Sequence, residues 1–546
     1  MIIMKNSGLL FLSIFFAVMG YSQPSTFEWA YECGSPPNTT DTKTTLATGE
    51  DGVFYLAGEF NDTADFGNLT VYSEGGSDVF LVKYDNLGNA LWASRIGSAD
   101  EDYVQGVKED GAGNVVVTGY FYGTTLIGDD AYTSFGSQDL FIARFDSQGE
   151  FLWSERAGGI MADYISSMDI DAANNVIITG YFYGEMAIGD TTIYASSSSD
   201  IYLAKYSPEG DLLWVITAGG ISSDQSRAVS CDPDGNIFLT GSYYYNFTVA
   251  DTMLVTDNPV GVVIVGFQPD GQLLRVFQLE GTYLSPEVYI KCDHAGDFYI
   301  AGNFSEDIFF GSKTFSAGEF NQDIFAAKYN EDGSLAWANH GTSFSSDQVI
   351  GIDTDPYNNL YIAGHYLDTL QFGLLTLPYT LCCGSREIFI VNYSFDGKVQ
   401  WVNRVTGVRA SVQSVAMDDA GAFLLSGMFI EDLIFGPITL SNFTDYRNYI
   451  TRLETDMYTN MPDQSHRGDD LQIYPNPVIG NINIGGLPSA DPILLRIYNS
   501  NGNLIHSFIY TPSSPVSVED LKPGIYFVLA EDVKRSSIFS GKFVKL

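Results

Sequence analysis

Side chains able to do chemistry are sparse and scattered in this chain. Five histidines, His294, His340, His365, His466 and His506, share no repeat position and no metal-ligand spacing, so they read as structural residues rather than a zinc site. No Gly-x-Ser-x-Gly elbow and no phosphate-binding loop occurs. Oxygen ligands do cluster in Asp232-Pro233-Asp234-Gly235-Asn236 and in Asp353-Thr354-Asp355-Pro356-Tyr357-Asn358. A calcium loop uses such oxygens, but it also needs a later bidentate glutamate, which is absent. The same residues suit a β-turn, so turn chemistry is the first reading and calcium the second. Tyr243, Tyr244 and Tyr245 could stack on a sugar or pack within the fold. A glycosidase needs only two carboxylates, yet every acidic position here stands out only as part of a repeat. No catalytic residue and no cofactor is assigned.

The repeat decides what must position these groups. Its glycine stands at Gly58, Gly119, Gly180, Gly241, Gly302, Gly364 and Gly427, at spacings of 61, 61, 61, 61, 62 and 63 residues. Each copy opens with an acidic turn such as Asp110-Gly111-Ala112-Gly113-Asn114, then an apolar run such as Val115-Val116-Val117. Asp, Asn and Gly favour the turn, and the β-branched run reads as a strand buried on both faces. About twenty residues on comes a second strand pattern, Asp78-Val79-Phe80-Leu81 in the first copy and Asp139-Leu140-Phe141-Ile142 in the next. A glycine turn and a tryptophan strand follow, with Trp92, Trp153, Trp214, Trp337 and Trp401 in phase. The fourth copy has Arg275 in the tryptophan place, which predicts weaker packing at that rim.

A further strand bridges each tryptophan to the next acidic turn, giving four strands per repeat. Such a unit cannot bury its apolar face alone, so neighbours must stack. Radial stacking of four-stranded units makes a β-propeller of four to eight blades. The expectation is therefore an all-β chain with a seven-bladed propeller. The seventh copy lacks its tryptophan strand after Asp456, while Trp29, in phase 63 residues before Trp92, sits in an orphan strand at the N-terminus. That strand is expected to complete the last blade beside residues 446–454, removing an exposed edge.

The formal charge is −41, of which residues 469–546 carry only −1. Such a field repels nucleic acid and anionic membranes. Residues 1–22 read as a signal peptide, with Lys5, an apolar stretch from Leu9 to Met19, and a cut before Gln23. No other stretch is long enough to span a membrane. The five cysteines, Cys33, Cys231, Cys292, Cys382 and Cys383, imply no disulfide framework. Cys231 and Cys292 share a repeat position and read as small buried apolar groups.

After residues 23–456 the composition changes. Residues 457–470 read as a polar linker. Alternating strands then run through Ile482-Asn483-Ile484, 494–498, 504–508 and 525–528, with an Asn501-Gly502 hairpin signal. This suggests a small Ig-like β-sandwich over 471–546. Three motifs occur there in order: Tyr474-Pro475-Asn476-Pro477, then Leu521-Lys522-Pro523-Gly524-Ile525-Tyr526, then Gly541-Lys542-Phe543-Val544-Lys545-Leu546. On these residues the module resembles the type A C-terminal sorting domain of proteins exported by type IX secretion. The resemblance implies a translocon partner for residues 471–546 and passage across the outer membrane of a Gram-negative cell. The repeats resemble the bacterial propeller family built on Asp-x-x-Gly-Asn-x-Tyr-x-x-Gly, which implies no particular activity.

The functional expectation is a monomeric, exported, non-enzymatic propeller that presents one disc face to a protein or glycan. A secreted polysaccharide hydrolase or lyase, and a purely structural surface component, are the alternatives.

Overall fold

The apolar runs pair with their sequence neighbours, as short turns between β-branched strands dictate. In the computed structural model residues 26–34, 43–258, 260–318, 321–380 and 385–455 are described, together with the strands and short connections between 471 and 545 given below. The signal peptide, the linker and Cys382-Cys383 lie outside the described residues. Two compact units divide the chain, Met1–Thr455 and Asp456–Leu546.

Within the first unit every repeat is an antiparallel meander. In the second repeat Asp102–Glu109 pairs with Val115–Ile127, which pairs with Asp130–Phe145, which pairs with Phe151–Gly158. The third repeats this with Asp163–Ile170, Val176–Ile188, Thr191–Tyr206 and Leu212–Ala218. Leu273–Cys292 and Val399–Met417 each run on from the last strand of one repeat into the first strand of the next. The seventh meander takes its fourth strand from the chain's beginning. Thr26–Cys33 pairs with Ile438–Glu454, placing Trp29 opposite Arg452 and Tyr31 opposite Ile450. The Thr451 hydroxyl donates to the Trp29 carbonyl at 2.7 Å, and Phe27 meets Phe435 edge-on at 5.2 Å.

The structure adds a short hairpin between the second and third strands, beyond the four expected. Asn246–Val249 with Thr252–Val255 is one such pair, and residues 185–188 with 191–194 another. Its edge reaches back to the preceding repeat, where Ala157 pairs with Ile188 and Gly341 with Phe372.

Neighbouring repeats are latched at the rim by the tryptophans. The indole N–H of Trp92 donates to the Ser147 carbonyl at 3.1 Å, Trp153 to Pro208 at 2.9 Å and Trp337 to Phe395 at 3.0 Å. Each acceptor lies in the third-to-fourth strand turn of the next repeat, whose glycine lies under the ring. A Cβ on Gly149, which has a positive φ of 84°, would come within 2.8 Å of Trp92. Arg275 takes the same place over Gly333, but its Nη1 has no hydrogen-bond partner. The guanidinium also lies 5.9 Å from the centre of the Phe238 ring, so the rim contact is kept by a different group.

Four junctions between repeats bury paired aspartates, Asp78 with Asp102, Asp139 with Asp163, Asp200 with Asp224, and Asp323 with Asp347. Burial, then the paired carboxylate, pushes Asp102, Asp163 and Asp224 up to about 7 and Asp347 up to about 8.

In the second unit Asn481–Gly485 pairs with Gln472–Tyr474 and with Val516–Ser517. Ile493–Asn499 lies between Leu504–Tyr510 and Gly524–Asp532, and the latter pairs with Ser537–Lys545. Ile482, Ile484, Leu495, Ile497, Val528 and Phe543 form one core drawn from both sheets.

Two outcomes follow from this packing. Phe27→Ala should cost about 3–5 kcal/mol in denaturant unfolding, because it empties a buried site in the strand that completes the seventh meander. The paired aspartates keep protons that an unfolded chain, with aspartate near about 3.9, has already released. With a chelator present, unfolding free energy should therefore rise as pH falls from about 8 to about 6. A flat or opposite profile in urea titrations counts against the buried pairs.

Candidate functional site

The innermost strand of each meander faces a common cavity of about 850 Å³, lined by residues of all seven repeats. Side chains stitch these strands together across repeats. Cys231 N–H donates to Asp169 at 2.8 Å, Cys292 N–H to the Ser230 hydroxyl at 3.1 Å, and Met417 N–H to Asp353 at 2.9 Å. First and last repeats are joined in the same way, with Thr44 N–H on Gln413 Oε1 at 3.1 Å and Leu46 N–H on the Ser414 hydroxyl at 3.0 Å.

Four charges on the inner strands pair between neighbouring repeats in the cavity lining. Lys291 meets Asp353 at 2.8 Å and Lys108 meets Asp169 at 3.5 Å. Burial opposes the Lys291 charge, but Asp353 and then Asp169 outweigh it and hold its pKa above the ordinary lysine value. Burial likewise opposes the Asp353 charge, yet Lys291 and Lys108 lower its pKa. Lys291 thus feels both aspartates and Asp353 both lysines, and the four charges sum to zero.

At one mouth of the cavity a row of tyrosines stands beside charged groups. Tyr103 stacks on Tyr120 at 4.9 Å, Tyr164 on Tyr181 at 4.6 Å, and Tyr120 faces Tyr164 at 6.3 Å. Tyr122 and Tyr183 stand edge-on to this row. All four rings of the row are half-buried. A side cavity of about 270 Å³ opens here, lined by Tyr120, Tyr164, Tyr181, Gln225, Arg227 and Glu287 among others. Arg227 lies 4.7 Å from the centre of the Tyr289 ring, bonds its hydroxyl, and stands 4.0 Å from Glu287. Gln348 donates to Glu287 at 3.1 Å. Lys43 donates to the Gln105 carbonyl at 3.2 Å, and burial, then Arg227, lowers its pKa to about 8. Burial raises neighbouring Glu59 to about 7. Flat aromatic faces beside amide, guanidinium and carboxylate groups can stack on an apolar ring face while hydrogen-bonding its polar rim.

Sequence patterns alone did not single out this tyrosine row. Its trace is the position after the repeat glycine, which reads Glu59, Tyr120, Tyr181, Ser242, Asn303, His365 and Met428. The glycines serve the pairing: a Cβ on Gly119, Gly180, Gly364 or Gly427 would collide with a carbonyl of the adjacent inner strand. Of the tyrosines proposed for sugar stacking, Tyr243 is fully buried in the core, while Tyr244 and Tyr245 are exposed and do not line the side cavity. His365 accepts from Val412 N–H at 3.0 Å, and His340 stacks on Phe315 at 4.4 Å.

The acidic turns use their oxygens internally. Asp232 accepts from Asn236 N–H and from its side-chain amide, both at 2.8 Å. Asp355 does the same with Asn359 at 2.8 and 2.7 Å, and Asp353 holds Lys291. Asp171 adds Lys205 at 2.8 Å, and Asp110 adds Arg144. Among the described residues no three His, Cys, Asp or Glu side chains converge as a metal cluster, and no described helix is long and apolar enough to cross a membrane.

In the second unit Tyr474 is exposed, Tyr526 stacks on Phe543 at 5.5 Å, and the Tyr526 hydroxyl donates to the Lys522 carbonyl at 2.9 Å. Gly524 pairs with Lys545, Gly541 with Val528 and Lys542 with Phe527. Pro475, Asn476, Pro477 and Pro523 lie outside the described residues.

The chain is similar to an uncharacterized WD repeat-containing protein of Acanthamoeba polyphaga mimivirus, 23% identical over 419 residues, which cover 67% of this chain and 27% of that protein. It thus spans about a quarter of the curated relative it matches. Among solved structures, a protein of unknown function from Dyadobacter fermentans matches with 10% identity and a TM-score of 0.39, over 78% of this chain and 99% of that one. A polysaccharide lyase, an ulvan lyase bound to a glycan, matches with 10% identity and a TM-score of 0.38, over 74% and 93%. At these values the likeness bears on neither activity nor ligand. Residues 472–545 match the secretion system C-terminal sorting domain, and this tail marks the chain for type IX export to the surface or the surroundings of the cell.

Proposed function

We propose that residues 23–456 form a closed seven-bladed β-propeller that binds a glycan without turning it over, and that the C-terminal module delivers it to the outside of the cell. The supporting observation is the row Tyr103, Tyr120, Tyr164 and Tyr181 at the mouth of the inner cavity, beside Arg227 and Glu287. Half-buried rings held against one another lose little entropy on binding, which favours stacking on a pyranose face. The protein acts as a monomer in this reading, since each chain carries its whole row.

A second reading draws on Glu59 and Lys43, adjacent at the same mouth and both titrating near neutrality. Such groups suit proton transfer, so a hydrolase or lyase that cleaves the bound glycan is the alternative.

Glycan-array binding by the secreted protein tests the first reading. Tyr164→Ala and Tyr181→Ala should each weaken binding about tenfold, the equivalent of about 1.4 kcal/mol per lost ring contact. Unchanged affinity in both variants would sink the assigned site. Turnover of the captured glycan that is lost in Glu59→Gln would transfer the assignment to the enzyme reading. Deleting residues 471–546 should leave the protein in the periplasm, as fractionation would reveal, and normal secretion of the truncated chain would overturn the delivery role.

A further inference from the structure

The four junctions that bury paired aspartates are not equivalent. All eight carboxylates are almost fully inaccessible, Asp200 being the most exposed at 4%. At the first junction the two carboxylates converge, because a Cβ on Gly97 would lie 2.6 Å from Asp78 Oδ1 and 2.8 Å from Asp102 Oδ2. A cation of the chain stands there: Arg95 Nη1 lies 3.0 Å from Asp78 Oδ2. At the second junction Arg156 stands 4.0 Å from Asp139. Both arginines occupy one register position, Arg95 opposite Phe80 and Arg156 opposite Phe141.

That position holds no arginine at the other two junctions. Thr217 lies opposite Tyr202 and His340 opposite Phe325. Among the described residues, none of Asp200, Asp224, Asp323 and Asp347 forms an ion pair. One carboxylate of each of these two pairs also lacks some hydrogen bonds, as Asp102 Oδ1 and Asp163 Oδ1 do at the first two junctions, while Asp200 is satisfied by the Ser196 N–H and hydroxyl. Asp224 Oδ2 accepts from Gly220 N–H at 2.6 Å, but its Oδ1 receives no well-formed hydrogen bond, only the looser approach of Tyr244 N–H. Neither oxygen of Asp347 is satisfied, with Leu367 N–H and the Ser343 hydroxyl standing nearby. Two buried carboxylates with no counter-charge are expensive to keep ionised.

Backbone N–H groups of Ser196, Gly220 and Ser343 bond three of these carboxylates, and hydroxyl and carbonyl oxygens lie beside them. The Ser196 hydroxyl bonds both Asp200 Oδ1, at 3.1 Å, and the Gly220 carbonyl, at 2.8 Å. The Ser343 hydroxyl bonds the Ser345 carbonyl at 3.0 Å beside Asp323. Carboxylate, hydroxyl and carbonyl oxygens are the ligand set of calcium. We propose that the Asp200–Asp224 and Asp323–Asp347 junctions each bind one calcium ion, in the role that the arginine side chains play at the first two junctions. These sites are separate from the acidic turns, whose oxygens are committed to their own backbone. An ion at each would pin adjacent repeats together once the chain reaches a calcium-rich exterior.

The test uses the full secreted chain, stripped with EDTA and titrated with calcium chloride by calorimetry, with melting followed in parallel. Two ions per chain are expected, with a rise in Tm of several degrees at millimolar calcium. Thr217→Arg restores the missing guanidinium, so this variant should bind one ion and melt higher than the parent in EDTA. Asp347→Asn should remove the other ion. No binding heat and an unchanged Tm would overturn the proposal. So would a Thr217→Arg chain that still binds two ions. If calcium has no effect while acidification alone stabilises the parent, the pairs hold protons instead and the proposal fails.

Discussion

The first unit depends on one long-range pairing, that of Thr26–Cys33 with Ile438–Glu454. Every meander has apolar side chains on both faces of its middle strands, so each needs a neighbour on either side. The middle repeats obtain neighbours from the chain order alone. The two terminal repeats can obtain one only from each other. Supplying the last fourth strand from the N-terminus satisfies the edge of Ile438–Glu454 and places Trp29 against Phe54 of the first repeat. Thr44 and Leu46 then reach Gln413 and Ser414 across the same boundary. Backbone pairing outside and side-chain stitching inside thus join one pair of repeats through residues nearly four hundred positions apart.

With the repeats so arranged, polar chemistry collects where strands meet the axis. The inner strand is the most polar of the four, because its face turns to the cavity rather than to a packed neighbour. In the cavity lining, polar groups of opposite charge neutralise one another, as Lys108, Asp169, Lys291 and Asp353 do. At the tyrosine mouth flat rings stand beside the paired groups Arg227, Glu287, Lys43 and Glu59. A protein of net charge −41 thereby presents a nearly neutral, aromatic patch on a strongly acidic body.

Charge is handled by the same device at several levels. In every repeat after the first a buried aspartate of the acidic turn bonds its own backbone, and in most of these it also meets a lysine or arginine from the third strand, as in Asp171 with Lys205 and Asp418 with Arg452. Junction aspartates use Arg95 and Arg156 where those residues exist. Where the chain supplies no cation the carboxylates remain in place, and that asymmetry between otherwise equal repeats carries the calcium inference.

Much of this architecture was legible in the residues. The spacing of the glycines, the turn chemistry of Asp232 to Asn236 and the in-phase Trp29 are local or periodic signals, and periodicity survives without knowledge of contacts. The sorting motifs were legible for the same reason, being short and ordered. The added hairpin was not, since its strands are too short and mixed to show a period of two. Nor was the tyrosine row: Tyr103, Tyr120, Tyr164 and Tyr181 come from two repeats and four strands, and nothing in their spacing says that they touch. By itself the sequence determined the strand units, their order and the route of export. Only the tertiary structure decided which variable positions meet at the cavity mouth and which aspartates face each other, because those groupings form between repeats, where proximity depends on stacking rather than on distance along the chain.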